Sequence, residues 1–148
     1  YYNWGLTSIP NFYNTKEIFN IARACKARGL KLALNRFPSP EEDSNIYADL
    51  NSDFKHLLNE ENVIDLAPIY RNAENASEKN KLQFGVLSNA EHIFASQGGN
   101  AAISIILGKS VSILMRGGFD YPALRSLGNF YSTKIEIAFE INQFQIGF

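Results

Sequence analysis

The sequence predicts an α/β fold in which helices cover both faces of a parallel β-sheet. Short apolar runs alternate with helical patterns along the chain, and the connections between them are brief. Such an order is typical of βαβ units, which build parallel sheets through right-handed crossovers. The apolar runs are also nearly continuous, as expected for strands that are buried on both faces.

The first elements follow from capping and periodicity. Residues 1–6 form a short aromatic-rich run that predicts a strand. Thr15 is a suitable N-cap, and apolar residues then recur at helical spacing until Gly29 ends the helix. Residues 30–37 predict a buried strand, and residues 41–58 predict a second helix with its apolar residues along one side.

The second half of the chain repeats this alternation. The polar segment 71–81 predicts a solvated loop that leads into a short helix ending near Ala90. Residues 134–139 alternate charged and apolar side chains, so they fit a strand or a helix equally. Together the elements predict one Rossmann-like domain, a three-layer parallel sheet with helices on both faces. The remaining predicted strands are 62–67, 92–96 and 111–115, and the remaining predicted helices are 100–107 and 121–128.

Composition narrows the classes of function. The 148 residues are 45% hydrophobic and 20% charged, which is typical of a globular domain. Fourteen basic and fifteen acidic side chains nearly cancel, so nothing indicates nucleic acid as a partner. A single cysteine, Cys25, favours a cytoplasmic setting, and no apolar run predicts a transmembrane segment. Two distant histidines predict no metal site. Because the chain starts at Tyr1 and ends abruptly, we interpret it as part of a longer protein.

A polar loop after one predicted strand is the strongest candidate for a binding site. It consists of Ser96-Gln97-Gly98-Gly99-Asn100, and it begins the next helix. Glycines let the backbone approach a ligand, and a helix N-terminus presents N–H groups and a positive dipole end that suit a phosphate. The same glycines would also serve a tight turn and close helix–sheet packing, and their spacing alone does not separate the two roles. The loop matches neither the dinucleotide fingerprint nor the P-loop pattern.

The stretch from Glu91 to Gly128 resembles a known superfamily. It is similar to the C-terminal half of GT-B-type glycosyltransferases and UDP-N-acetylglucosamine 2-epimerases. The similar features are a strand, a Ser-Gln-Gly-Gly turn, a small-residue helix and a Leu-Gly-Lys-Ser-Val segment, followed by Arg116 and Pro122. Bacterial surface-polysaccharide proteins carry a similar Gln-Gly-Gly turn. The resemblance implies a nucleotide-sugar-binding domain without a separate cofactor, paired across a cleft with an N-terminal domain that is missing here. It implies that residues 97–100 bind the diphosphate and that Arg116 lies near the sugar or phosphate.

Two departures from that pattern concern ribose binding and the next strand. The family commonly has a Glu on the helix after the glycines, whereas Ala102, Ile103 and Ser104 occupy the candidate positions here. Ser110 stands where the family usually has Pro. Arg36 at one predicted strand end and Asp120 after another are further candidates for phosphate and sugar contacts, with a surface salt bridge and a helix cap as their alternative roles.

Other residues favour structural roles. His92 begins a predicted strand at the end of the sheet away from the proposed crevice, so we interpret it as structural. The sequence lacks Gly-x-Ser-x-Gly and does not predict a serine hydrolase of that type. A non-catalytic binding or assembly module with the same fold is the alternative to a glycosyltransferase domain. The missing ribose carboxylate and the aromatic-rich amino terminus favour that alternative.

Overall fold

The computed structural model describes residues 15–35, 56–115 and 121–139, and within them the fold is α/β with parallel strand pairing. The described residues divide into an amino-terminal unit, residues 15–35 and 56–85, and a carboxyl-terminal unit, residues 86–115 and 121–139. The strand predicted at 1–6 and most of the helix predicted at 41–58 lie outside the described residues. In chain order the described elements are α1 (Thr15–Ala27), β1 (Leu32–Leu34), β2 (Val63–Asp65), α2 (Ala67–Arg71), α3 (Ala76–Asn89), β3 (His92–Ser96), α4 (Gly99–Ile106), β4 (Ser110–Leu114), α5 (Tyr121–Tyr131) and β5 (Ile135–Ala138).

The amino-terminal unit contains a two-stranded parallel sheet. β1 pairs with β2, and α1 contacts this sheet through a small core around Ala22, Leu57 and Val63. The buried Asn62 side chain donates from Nδ2 to the carbonyl oxygen of Ala22 at 2.8 Å. This bond links the residue before β2 to α1. It also satisfies a buried amide, which would destabilise the fold if it were left without a partner.

Helix α3 begins earlier than the sequence pattern indicates. The predicted loop at 71–81 is helical from Ala76 onward. The Glu78 N–H donates to Asn75 Oδ1 at 3.0 Å, and the Glu74 N–H donates to Glu78 Oε2 at 2.6 Å. Asn75 therefore caps the helix, and Glu78 reaches back in a variant of the capping box. The high polarity of this stretch reflects an exposed helix rather than a loop.

The carboxyl-terminal unit contains a three-stranded parallel sheet in the order β3-β4-β5. His92 is opposite Ser110, and Ser112 is opposite Glu136. Residues 134–139, which fitted a strand or a helix, contain strand β5. Because the three strands are parallel, their carboxyl ends lie together along one edge of the sheet and their amino ends lie together along the opposite edge.

The two faces of this sheet differ sharply in polarity. One face carries apolar side chains, which pack with α4, α5 and the end of α3 into the main core. The other face has a polar half at the amino ends of the strands, and Ser112 in its middle is only 1% exposed. Successive side chains along a strand point to opposite faces of the sheet. The strand register therefore determines which residues meet on the apolar face and which meet on the polar face. The core residues are Leu87, Ile93, Ala95, Ala101, Ile105, Val111, Ile113, Met115 and Leu124.

Three helices end in the same way. Gly29, Gly108 and Ser132 have positive φ angles of 70°, 69° and 52° just after α1, α4 and α5. In each case the following residue donates its N–H to the carbonyl oxygen five residues earlier, at 2.9 to 3.2 Å. These are Schellman ends, which satisfy carbonyl groups in the last turn. The structure thus confirms the helix end predicted at Gly29.

No helix in the part of the chain that the structure describes is both long and apolar enough to cross a membrane.

Candidate functional site

The Gly98 backbone shapes the loop that the sequence singled out. Strand β3 ends at Ser96, and α4 begins at Gly99, as predicted to within one residue. Between them Gly98 has φ 122° and ψ −160°, a region that is essentially restricted to glycine. The Gln97 N–H donates to the carbonyl oxygen of Leu114 at 3.0 Å, so the turn starts directly beside the end of β4. The loop therefore lies at the carboxyl ends of two adjacent parallel strands.

The first turn of α4 faces this loop with its backbone. The first intrahelical bond runs from the Ala102 N–H to the Gly98 carbonyl oxygen at 3.2 Å, and no side chain caps the helix at Gly98. The amides of Gly99, Asn100 and Ala101 precede that bond. The positive end of the helix dipole is also located there, so the turn has the electrostatic character that an anion requires.

Gly98 and Gly99 have different structural requirements. The conformation of Gly98 requires glycine. A Cβ added at Gly99 would meet no atom within 4 Å, and Gly99 itself is exposed. Close helix–sheet packing therefore does not explain the second glycine. Its missing side chain leaves open space at the mouth of the loop.

In the resembled family a ribose-binding carboxylate lies on the helix after the glycines. At the corresponding positions of α4, this chain has side chains that pack inside the protein. Ser104 is fully buried, and its hydroxyl donates to the carbonyl oxygen of Asn100 at 2.7 Å. Ala102 and Ile103 pack against the main core. These side chains are committed to α4 and its packing, so they supply no group for a ribose.

Five of the predicted site residues, Ser96, Gln97, Gly98, Gly99 and Asn100, are consecutive in the chain and form this turn, and their contacts with a ligand stay predictions. Arg36, Arg116 and Asp120 lie outside the described residues, and their contacts with a ligand stay predictions. Among the described residues, no three His, Cys, Asp or Glu side chains are grouped so that they could hold a metal ion.

No protein-family model, curated protein or solved structure matches this chain. A proposal about function therefore rests on the geometry of this loop and on the resemblance of residues 91–128.

A second polar cluster lies at the opposite edge of the same sheet, and the sequence patterns did not predict it. His92 Nδ1 lies 3.0 Å from Ser110 Oγ, and His92 Nε2 lies 2.9 Å from Ser112 Oγ. Ser112 donates its hydroxyl proton to Glu136 Oε2 at 2.9 Å. The Phe94 ring packs edge-on against the imidazole, with ring centroids 4.8 Å apart. We call the four hydrogen-bonded residues, His92, Ser110, Ser112 and Glu136, the His92 network.

Burial dominates the titration of this histidine. Desolvation lowers the pKa of His92 below its ordinary value, since the charged imidazolium loses more hydration than the neutral ring. The Glu136 carboxylate acts in the opposite direction and raises the pKa, whereas the Lys134 ammonium lowers it further. The net effect favours a neutral imidazole.

This lowered pKa predicts a specific dependence of stability on pH. Between the pKa of His92 in the folded protein and its ordinary value near 6.5, the unfolded chain binds more protons than the folded one. The free energy of unfolding should therefore be highest above pH 6.5 and should fall as the pH drops towards the folded pKa. Urea unfolding from about pH 5 to about pH 8 measures this slope. A His92→Gln variant should lose it, while His56→Gln, which alters an exposed histidine, should keep it. An unchanged slope in His92→Gln would show that another group causes it.

Proposed function

We propose that the Gly98 loop and the N-terminus of α4 bind the diphosphate of a nucleotide sugar. The observation that carries this proposal is the backbone conformation of Gly98, which only glycine adopts readily, in the turn that joins β3 to the start of α4 beside the carboxyl end of β4. In parallel α/β proteins, ligands bind outside this end of the sheet. Glycine in such a conformation is typical of tight turns and of places where the backbone approaches a ligand closely.

Gly99 strengthens the proposal because the fold itself leaves its side-chain position empty. A phosphate oxygen that accepts N–H bonds from the first turn of α4 must approach the backbone closely. A methyl group at residue 99 would occupy that approach. The small side chains of Ser96 and Asn100 lie on either side of the turn and offer additional hydrogen-bonding groups.

The finer family assignment follows from the resemblance of residues 91–128. On this proposal the chain is a Rossmann-like three-layer domain of a GT-B-like glycosyltransferase, acting in surface-polysaccharide synthesis in the cytoplasm. It holds the nucleotide diphosphate as the leaving group, and a second domain supplies the acceptor site. The α4 dipole and Arg116 would stabilise the negative charge that develops as the glycosidic bond breaks.

The test compares ligand binding by the wild-type protein and two glycine variants. UDP, GDP, CMP and inorganic pyrophosphate are titrated while the amide NMR signals of Gly98, Gly99 and Asn100 are followed. We expect saturable shifts that are strongest for one nucleotide. Gly99→Ala should bind about tenfold more weakly, which corresponds to about 1.4 kcal/mol, without a loss of stability. Gly85→Ala is the matched control, because a Cβ there also meets nothing within 4 Å and the residue lies in a different helix.

Three outcomes would count against the proposal. Signals that do not move at millimolar ligand would exclude nucleotide binding by this chain. Equal loss of affinity in Gly85→Ala would show that the effect of Gly99→Ala is not local. A response to pyrophosphate that no nucleotide exceeds would leave an anion site without nucleotide recognition.

The second candidate function is an assembly module without nucleotide affinity. An exposed aromatic pair favours it: Phe130 is 79% exposed and Tyr131 is 42% exposed, with ring centroids 5.0 Å apart. Large exposed apolar side chains that cluster are typical of interaction surfaces. Concentration-dependent self-association in sedimentation experiments, together with absent nucleotide shifts, would favour this candidate over the first.

A further inference from the structure

The His92 network places a serine hydroxyl against the ring nitrogen of a histidine. His92 and Ser110 are opposite each other on adjacent strands, and both side chains are half-buried at the amino edge of the sheet. The 3.0 Å separation of His92 Nδ1 and Ser110 Oγ is within hydrogen-bond distance. This edge is at the other end of the strands from the Gly98 loop, so it is a separate site.

The direction of the hydrogen bonds follows from counting protons. Ser112 has one hydroxyl proton, and it donates that proton to Glu136. Ser112 Oγ must then accept from His92, so Nε2 carries the imidazole proton. In a neutral imidazole the other nitrogen, Nδ1, is then an acceptor, and Ser110 is its donor. Ser112 and Glu136 are positioning residues that fix this tautomer.

Two charged groups, Glu136 and Lys134, act on His92 in opposite directions. Burial favours the neutral form of His92, which is the form able to accept a proton. Lys134 directly precedes β5, and its carbonyl oxygen accepts from the N–H of Val111, the residue after Ser110, at 3.1 Å. Its ammonium group is exposed, and its charge reaches His92.

We propose that Ser110 is a nucleophile for acyl transfer from small carboxylic esters, with His92 as its general base. Ser110 Oγ attacks the ester carbonyl carbon while its proton moves to His92 Nδ1. The resulting tetrahedral oxyanion collapses, the bond from carbon to the alcohol oxygen breaks, and that oxygen takes the proton from Nδ1. The products are acyl-Ser110 and the free alcohol, with His92 neutral again. A nucleophile hydrogen-bonded to a base that a third group orients is the arrangement this chemistry requires.

Ser110 lies on strand β4, whereas the serine of Gly-x-Ser-x-Gly enzymes lies on a strand-to-helix turn. The nucleophile and base come from adjacent strands, 18 residues apart in the chain. Only the register of the sheet brings them together, and for this reason no short motif marks the site.

The experiment uses p-nitrophenyl acetate as the probe. The wild-type protein should release a burst of about one equivalent of p-nitrophenolate per chain, and peptide mass spectrometry should locate the acetyl group on Ser110. Ser110→Ala should abolish the burst, and His92→Gln should slow it about 100-fold. Ser126→Ala, which removes an exposed hydroxyl from α5, should leave it unchanged. Circular dichroism and urea unfolding confirm that each variant is folded.

A further variant tests the positioning role. Glu136→Gln keeps an acceptor for the Ser112 hydroxyl but removes the charge that raises the pKa of His92. The midpoint of the pH profile of the burst rate should therefore move to lower pH, which a purely structural role would not produce. Three results would overturn the proposal: no burst from the wild-type protein, acetylation elsewhere with Ser110 unmodified, or an unchanged burst in Ser110→Ala.

Discussion

Replacing Gly98 by alanine is expected to lower the free energy of unfolding by about 1–3 kcal/mol. At φ 122° and ψ −160° a Cβ clashes with the neighbouring backbone, so the turn must rearrange or hold the strain. Chemical denaturation of the variant measures the loss. The same rearrangement would displace the start of α4, because its first intrahelical bond is accepted by the Gly98 carbonyl.

Gly99→Ala is the matched control for this substitution. It adds the same methyl group one residue later, where it meets nothing within 4 Å and where φ is not positive. Its free energy of unfolding should stay within about 1 kcal/mol of the wild type, since alanine is favoured over glycine in helices. If Gly98→Ala proved as stable as Gly99→Ala, the described conformation of this turn would be wrong.

Replacing Gly128 by alanine is expected to lower the free energy of unfolding by about 1–3 kcal/mol through overpacking. Gly128 is buried on the side of α5 that packs against β5. A Cβ there would overlap Ile135 Cδ1 and would lie 2.8 Å from Ile135 Cγ1. Thermal or urea unfolding measures the effect, and the variant should retain its helical signal because α5 itself is not altered.

The partner of this contact provides an internal control. Ile135→Ala removes both overlapping atoms and leaves the nearest one at 3.8 Å. In the double variant the alanine at residue 128 should therefore cost much less than it does alone, with a coupling energy of about 0.5–3 kcal/mol. Additive losses in the double variant would show that Gly128→Ala acts through something other than Ile135.

Most helices and strands of the carboxyl-terminal unit were predictable because their signals are local. The run His92–Ser96 matched its predicted bounds, and α4 was displaced by only one residue at each end. The polarity of the segment predicts a loop where α3 begins, although the Asn75-x-x-Glu78 spacing is a capping signal in the sequence. The division of the strands between two sheets has no local signal, since it depends on contacts distant in the chain.

The two candidate sites differ in how far the sequence predicts them. The Gly98 loop is consecutive in the chain, so its location followed from the pattern alone. The sequence did not reveal that Gly98 and Gly99 have different roles, because φ angles and empty space are properties of the folded backbone. The His92 network depends on strand register, with Ser112 and Glu136 24 residues apart. The sequence favours a structural role for His92 because this residue begins a strand at the end of the sheet away from the proposed crevice, and no local pattern indicates its two serine partners.

The three Schellman ends have a consequence for how the chain reaches its fold. Each one fixes where a helix stops through bonds that span five residues, and a strand begins two to three residues after each of Gly29, Gly108 and Ser132. The residue at which each helix ends is thus determined by hydrogen bonds between residues that are close in the sequence, rather than by packing against distant elements. Local preference and final topology agree at these three junctions. Such agreement widens the energy gap between the native arrangement and compact alternatives in which a helix runs on into the following strand.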